Sequence, residues 1–167
     1  MRRPRGILFD LDGVIYNGET PIEGAAEVIA WVRREYIPFL FVTNTTSRPR
    51  QTLIDKLHSM GITAAVNEIW TPAVAANLWL RERGIAPVAL FVPPQTATEF
   101  QGIAVSGESA KAVVIGDLGQ AWDFATLNRA FRCFTPTRKP NSSLLAWPAT
   151  GCRRPDHRWT SRPSSPP

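Results

Sequence analysis

Cysteine is scarce. The 167 residues hold two, Cys133 and Cys152, with no CxxC or histidine spacing beside either, so neither a thiolate metal site nor a disulfide framework is expected. Long apolar runs are missing too. The stretches at 7–11 and 37–42 stop far short of the roughly 18 residues of a membrane-spanning helix and suit buried strands. The basic start Met1-Arg2-Arg3-Pro4-Arg5 leaves too short an apolar run before Asp10 for a secretory leader, so a cytoplasmic location and no membrane partner are expected.

A charge excess is also lacking from most of the chain. The net charge of +5 and pI near 9.9 invite a nucleic-acid partner. However, residues 133–167 carry six basic residues (Arg138, Lys139, Arg153, Arg154, Arg158, Arg162) against the single acid Asp156. Residues 1–132 balance at 13 basic and 13 acidic groups, and no nucleic-acid partner is expected for that body.

Strands alternate with helices through that body. Gly6-Ile7-Leu8-Phe9-Asp10 is a short buried strand ending in an acid, with turn residues Gly13 and Asn17-Gly18 behind it. Ala25, Val28, Ile29 and Val32 recur at helical spacing over about 24–34, and 38–42 is a second strand running into Thr43-Asn44-Thr45-Thr46. Ser47 is expected to cap the next helix, with Pro49 in its first turn, Leu53, Ile54 and Leu57 buried and Gly61 as the stop. Thr71-Pro72 starts another helix, which Gly84 ends; 88–92 and 112–115 are strands, and Phe124, Leu127 and Phe131 mark a last helix. The pattern predicts an α/β fold: a Rossmann-like parallel sheet with helices on both faces. Ligands bind at the strand C-terminal ends of such sheets, where Asp10 and Thr43 lie.

Asp10-Leu11-Asp12-Gly13 sets two carboxylates two residues apart just past a strand. If the backbone leaves extended geometry after Asp10, both reach one pocket, and a nucleophile and an acid/base can share it. Two anions facing a phosphate repel it unless a cation such as Mg2+ stands between them. Alone, the motif reads more readily as a polar turn, and Thr43 reads equally well as a capping or turn residue.

The whole constellation resembles the haloacid dehalogenase-like phosphatases: an apolar strand, Asp10-Leu11-Asp12-Gly13-Val14, a Tyr16-Asn17-Gly18 flap, and a second strand ending Phe41-Val42-Thr43-Asn44-Thr45-Thr46-Ser47. Ser59-Met60-Gly61-Ile62, Glu68-Ile69-Trp70-Thr71-Pro72 and Ala112-Val113-Val114-Ile115-Gly116 extend the similarity over about residues 6–132. It is similar in particular to the C2-capped subgroup of 4-nitrophenylphosphatase-like and phospholysine phosphohistidine inorganic pyrophosphate phosphatase-like proteins. The resemblance implies Asp10 as nucleophile, Asp12 as general acid/base, both on Mg2+, and Thr43 with Asn44 binding phosphate. It implies a core over 1–85 and a partial cap over 86–132, acting on a small phosphorylated metabolite or pyrophosphate.

The family pattern also has a lysine in a Gly-Lys-Pro setting and a GDxxxxD-like acidic motif. Neither is found here. Asp117 and Asp123 are separated by five residues, one more than the longer usual form, and Lys111 and Lys139 lack the right setting. A chain of this sequence is therefore expected to be inactive by itself. The resemblance also places the Asp10 strand centrally, beside the strand bearing that acidic motif, whose loss exposes an apolar edge.

From residue 133 the periodicity stops and seven prolines interrupt the sequence, predicting a disordered tail. In a neighbouring codon frame, with synonyms chosen to suit, the tail can be read as strings resembling the segment after the last helix in related proteins. It is expected to be a frameshifted translation that truncates the enzyme. The alternative is a non-catalytic fragment, or a binding protein acting through a basic tail.

Overall fold

The computed structural model describes residues 4–107, 109–134 and 143–146. Strand β1 (Ile7–Asp10) alternates, Ile7 and Phe9 turning inward while Leu8 and Asp10 are exposed. A hairpin of β2 (Tyr16–Asn17) and β3 (Thr20–Pro21) comes next, then α1 (Ala25–Arg34), which buries Ala25, Ile29 and Val32 at helical spacing. Strand β4 (Phe39–Val42) lies parallel to β1 in the register Ile7↔Phe39 to Asp10↔Val42. After α2 (Arg50–Ser59), the two-residue strand β5 (Ile69–Trp70) joins the far side of β4. Inward-facing Phe9, Phe39 and Phe41 meet edge-on, Phe39 lying 6.0 Å from Phe9 and 5.4 Å from Phe41 between ring centroids. This aromatic row and Ile29, Leu53 and Leu57 of the two helices form one buried cluster.

Helix ends match the sequence except at α2. Its start has no cap from Ser47: the helix begins behind Pro49, and no nearby side chain bonds its first turn. The cap comes from 49 residues away, where the Glu99 carboxylate accepts the Arg50 backbone N–H at 2.7 Å. A buried carboxylate at a helix N-terminus satisfies both an orphan donor and the helix dipole, which displaces the weaker local option.

Helix α3 (Pro72–Glu82) starts as expected, Thr71 Oγ1 accepting from Val74 N–H at 3.3 Å. It packs on a second parallel sheet of β6 (Val88–Phe91), β7 (Ala112–Ile115) and β8 (Ser143–Ala146), in the order β6-β7-β8. Helix α4 (Pro94–Ala97) runs into a 3-10 turn ending at Phe100, and α5 (Phe124–Phe134) comes after β7. Val88, Ala112 and Val114 face Ala73 and Leu80 of α3 and Phe100; Ala89, Phe91 and Val113 face Ala130 of α5. This sheet has helices on both faces as predicted, whereas the first sheet has α1 and α2 on one face.

Two further points differ from the sequence, and a third agrees with it. Strand β8 lies inside the stretch whose prolines predict no regular structure; the rest of the tail, with the frameshift reading, falls outside the described residues apart from 133–134. Strand β1 is an edge of the described sheet, the position expected when the strand bearing the acidic motif is missing beside it. Phe124, Leu127 and Phe131 mark α5 but are 83%, 52% and 62% exposed, and Ala130 makes the buried contact instead.

Candidate active site

Asp10 closes β1 opposite Val42, so Thr43 leaves β4 one residue beyond it and both sit at the strands' C-terminal ends. The chain then abandons extended geometry. The Leu11 carbonyl, on a fully buried residue, accepts the N–H groups of Ile15 at 2.9 Å and Tyr16 at 3.2 Å, and Gly13 N–H returns to the Tyr16 carbonyl at 2.7 Å. This turn carries Asp12, which is exposed, as is Asp10. Asp10 Oδ1 accepts the Leu11 N–H at 2.8 Å, which fixes the carboxylate and leaves Oδ2 without a hydrogen-bond partner among the described residues.

Tyr16 senses both acids. Burial pushes its phenol above the ordinary value, Asp12 adds to the push, Arg48 opposes it, and Asp10 and Glu19 add smaller increments. The turn therefore brings both carboxylates, Tyr16 and the guanidinium of Arg48 into one electrostatic neighbourhood. Lys56 Nζ stands 4.1 Å from the centre of the Tyr16 ring and 3.0 Å from Glu19 Oε1. It thereby ties the hairpin of β2 and β3 to α2.

The loop after β4 is held along its length. Thr43 is buried; its N–H donates to the Trp70 carbonyl at 3.1 Å and its Oγ1 accepts from Thr45 N–H at 3.2 Å. The hydroxyl thus shapes the loop and keeps its own proton to donate. Asn44 beside it is exposed. Thr46 Oγ1 accepts from Asp117 N–H, 71 residues away, at 2.9 Å, and Gln95 Nε2 donates to the Ser47 carbonyl at 3.4 Å. Arg50 closes the loop on Glu99, Nε to Oε2 at 2.9 Å and Nη2 to Oε2 at 2.8 Å, with the Glu99 side chain 7% exposed. Residues 94–117 are thereby fastened to the loop that carries Thr43 and Asn44.

The other acids have local duties. Asp117 Oδ1 accepts from Gly119 N–H at 2.8 Å, and Asp123 Oδ1 from Thr126 N–H at 2.7 Å at the head of α5, a bond that holds the exposed Asp123 carboxyl below its usual range. Lys111 precedes β7, at the opposite end of that strand from Ile115, and Lys139 lies outside the described residues. No group of three or more His, Cys, Asp or Glu that could hold a metal occurs among the described residues. Nor is any helix among them long and apolar enough to cross a membrane.

Sequence inspection missed Arg48, Thr46, Lys56 and the Arg50–Glu99 pair. Arg48 stands just behind Ser47, and a basic residue near a phosphate loop is a usable signal. The others depend on partners that no local pattern reveals.

Comparisons with known proteins bear on the family and the fold. A family model described as haloacid dehalogenase-like hydrolase matches residues 7–106. The chain is 32% identical over 140 residues to the phospholysine phosphohistidine inorganic pyrophosphate phosphatase of Homo sapiens, covering 81% of this chain and 51% of that protein. It is 33% identical over 119 residues to the 5'-nucleotidase YutF of Bacillus subtilis (strain 168), covering 70% and 46%. Among solved structures, the p-nitrophenyl phosphatase from Archaeoglobus fulgidus superposes with a TM-score of 0.71 at 26% identity, covering 77% of this chain and 51% of that one. The chain spans about half the length of the curated relatives it matches.

Proposed function

Because the chain belongs to the haloacid dehalogenase-like hydrolase family, we propose that it carries the nucleophile-bearing part of a magnesium-dependent phosphatase for a small phosphorylated metabolite or pyrophosphate. The observation that supports this most is the placement of Asp10 opposite Val42, which sets its carboxylate beside the loop of Thr43 and Asn44 at one mouth of the sheet. Asp10 Oδ2 attacks phosphorus, forming an aspartyl-phosphate as the bond to the leaving oxygen breaks. Asp12 gives its proton to that oxygen and then takes one from the water that cleaves the acyl-phosphate, restoring Asp10. The Thr43 hydroxyl and the Asn44 amide donate to phosphate oxygens, and Arg48 adds positive charge on the same side.

The donor set fits Mg2+ in kind: two exposed carboxylates supply hard oxygen ligands, and this ion commonly takes one or two carboxylates plus phosphate and water. When bound, Mg2+ supplies the charge that lets a dianion approach two carboxylates. No lysine among the described residues stands ready to hold the phosphate, because Lys56 is engaged by Tyr16 and Glu19. We infer that the chain by itself sustains no turnover.

The test joins residues 1–132 to the part of the Archaeoglobus fulgidus phosphatase that this chain does not match, and tracks hydrolysis of 4-nitrophenyl phosphate. Magnesium-dependent hydrolysis by the fusion, lost in its Asp10→Asn variant and absent from the unfused chain, is the expected result. Hydrolysis that survives Asp10→Asn would overturn the assignment.

A further inference from the structure

The Tyr16 ring is held in place by its own turn and by α2. Tyr16 N–H donates to the Leu11 carbonyl at 3.2 Å, its carbonyl accepts from Gly13 N–H at 2.7 Å, and Asp12 and Tyr16 pair as an isolated bridge. The turn that bears Asp12 therefore carries the tyrosine as well. Tyr16 belongs to the buried cluster with Leu11, Phe41 and Leu53 and is 5% exposed. Lys56 Nζ, held by Glu19 Oε1 at 3.0 Å, stands 4.1 Å from the ring centre.

The hydroxyl is treated differently from the ring. A buried tyrosine usually finds a partner for its O–H. Among the described residues, the buried side-chain polar atoms without a partner are Asn77 Oδ1 and Thr96 Oγ1. Tyr16 Oη takes no hydrogen bond from the described residues either, yet it is not one of these, so the small part of Tyr16 that solvent reaches includes its oxygen. The phenol also stands near enough to Asp12, Arg48 and Asp10 for all three to act on its proton. It therefore opens at the same mouth of the sheet as Asp10 and the Thr43 loop.

A phenol with an ordinary pKa of about 10 is a hydrogen-bond donor at neutral pH. In the free chain water serves this donor. A ligand that fills the mouth displaces the water and loses affinity unless it supplies an acceptor in its place. The group that the proposed chemistry brings to Asp10 is a phosphoryl group, whose oxygens are acceptors. Resting on that reading of the site, we propose that Tyr16 is a further substrate-binding residue: its Oη–H donates to an oxygen of the phosphoryl group at Asp10, beside the Thr43 hydroxyl and the Asn44 amide. Because the ring is already fixed, the donor gives up little freedom on binding.

Tyr16 and Tyr36 are the two tyrosines of the chain, so the full-length chain labelled with 3-fluorotyrosine gives two fluorine resonances, assigned with Tyr36→Phe. Tyr36, 92% exposed behind α1, is the internal reference. Inorganic phosphate is titrated at constant Mg2+. The Tyr16 resonance is expected to move with phosphate while the Tyr36 resonance stays. In the unlabelled chain Tyr16→Phe, which keeps the ring beneath Lys56 and removes the hydroxyl, should weaken phosphate binding about tenfold by calorimetry. Three results would overturn the proposal: a Tyr16 resonance that stays still while phosphate binds, an affinity that a folded Tyr16→Phe leaves unaltered, or no phosphate binding up to about 10 mM. The resonance decides the matter even if Tyr16→Phe unfolds. Covalent capture of a phosphoryl group on Asp10 separates this proposal from the reading beneath it. Capture at Asp10 with a motionless Tyr16 resonance discards the role of Tyr16 alone, whereas no capture at Asp10 discards the site reading and the proposal with it.

Discussion

Tyr16 is buried beneath the Lys56 ammonium with two carboxylates near its phenol. Its raised pKa means that the folded chain keeps the phenolic proton after the unfolded chain has lost it. The stabilisation is therefore complete below the ordinary phenol value of about 10 and falls as pH rises through the folded value. Tyr16→Phe should flatten the loss of stability above about pH 10, read from urea midpoints at several pH values. Glu99 carries a second prediction. Its carboxylate caps α2 and pairs with Arg50 from a nearly buried position, so Glu99→Ala should cost about 1–3 kcal/mol in a urea melt. An unchanged midpoint would show that the loop after β4 does not need this fastening. The position of Asp10 at the end of one strand and of Thr43 and Asn44 just past another was legible in the sequence, because the apolar run of each strand announces it. Thr46 and Glu99 were not, because their partners lie 71 and 49 residues away.

Three helices end in the same way. After α1, α2 and α3 a residue in the left-handed region turns the chain, and the isoleucine behind it donates to the last buried turn: Ile37 N–H to the Val32 carbonyl at 3.1 Å, and Ile62 to Leu57 and Ile85 to Leu80, both at 2.9 Å. Gly61 and Gly84 fill that position at φ +78° and +61°, and both stops were readable in the sequence. At the end of α1 the position belongs to Tyr36, at φ +53° and 92% exposed, where a side chain is strained and packs on little. Tyr36→Gly should therefore stabilise the chain by about 0.5–1 kcal/mol, whereas Tyr36→Ala should not, as thermal melts of the two would show. Near that end, Arg33 bonds Glu68 at 2.7 and 2.6 Å. Burial pushes the Glu68 carboxyl up, but the Arg33 bonds and the Ala65 N–H outweigh it and lower the pKa, so this contribution is lost as pH falls through the folded value. Strand β5 escaped notice for want of length: two residues show no period, and only pairing with Phe41 and Val42 defines them.

The two sheets differ in what covers them. The second is sandwiched between α3 and α5, while on the first the residues opposite the helices, Leu8, Leu40, Val42 and Trp70, enter none of the buried clusters. Leu8 is 71% exposed on an edge strand. An apolar side chain on an unpaired edge favours association with another chain, and a charge there opposes it. Sedimentation velocity should show the wild-type chain associating as concentration rises and Leu8→Lys remaining smaller at the same loading; a monomeric wild type would contradict this. The α/β class was legible from the alternation of strands and helices. That alternation alone does not divide the strands into two sheets, because α3 shows one apolar stripe whichever sheet it packs against; the expectation of a core over 1–85 and a partial cap over 86–132 comes from the family resemblance.

At the centre of the proposed chemistry is the carboxylate of Asp10 as the phosphoryl acceptor, and the most direct measurement captures the phosphoryl group there. The chain is incubated with Mg2+ and a small activated donor such as phosphoramidate, then reduced with borohydride, which converts an aspartyl-phosphate to homoserine, and the peptides are mapped by mass spectrometry. Homoserine at position 10, absent without Mg2+ and absent from Asp10→Asn, is the expected result. Reduction at another acid, or none at any acid in a folded chain, would contradict the assignment of Asp10.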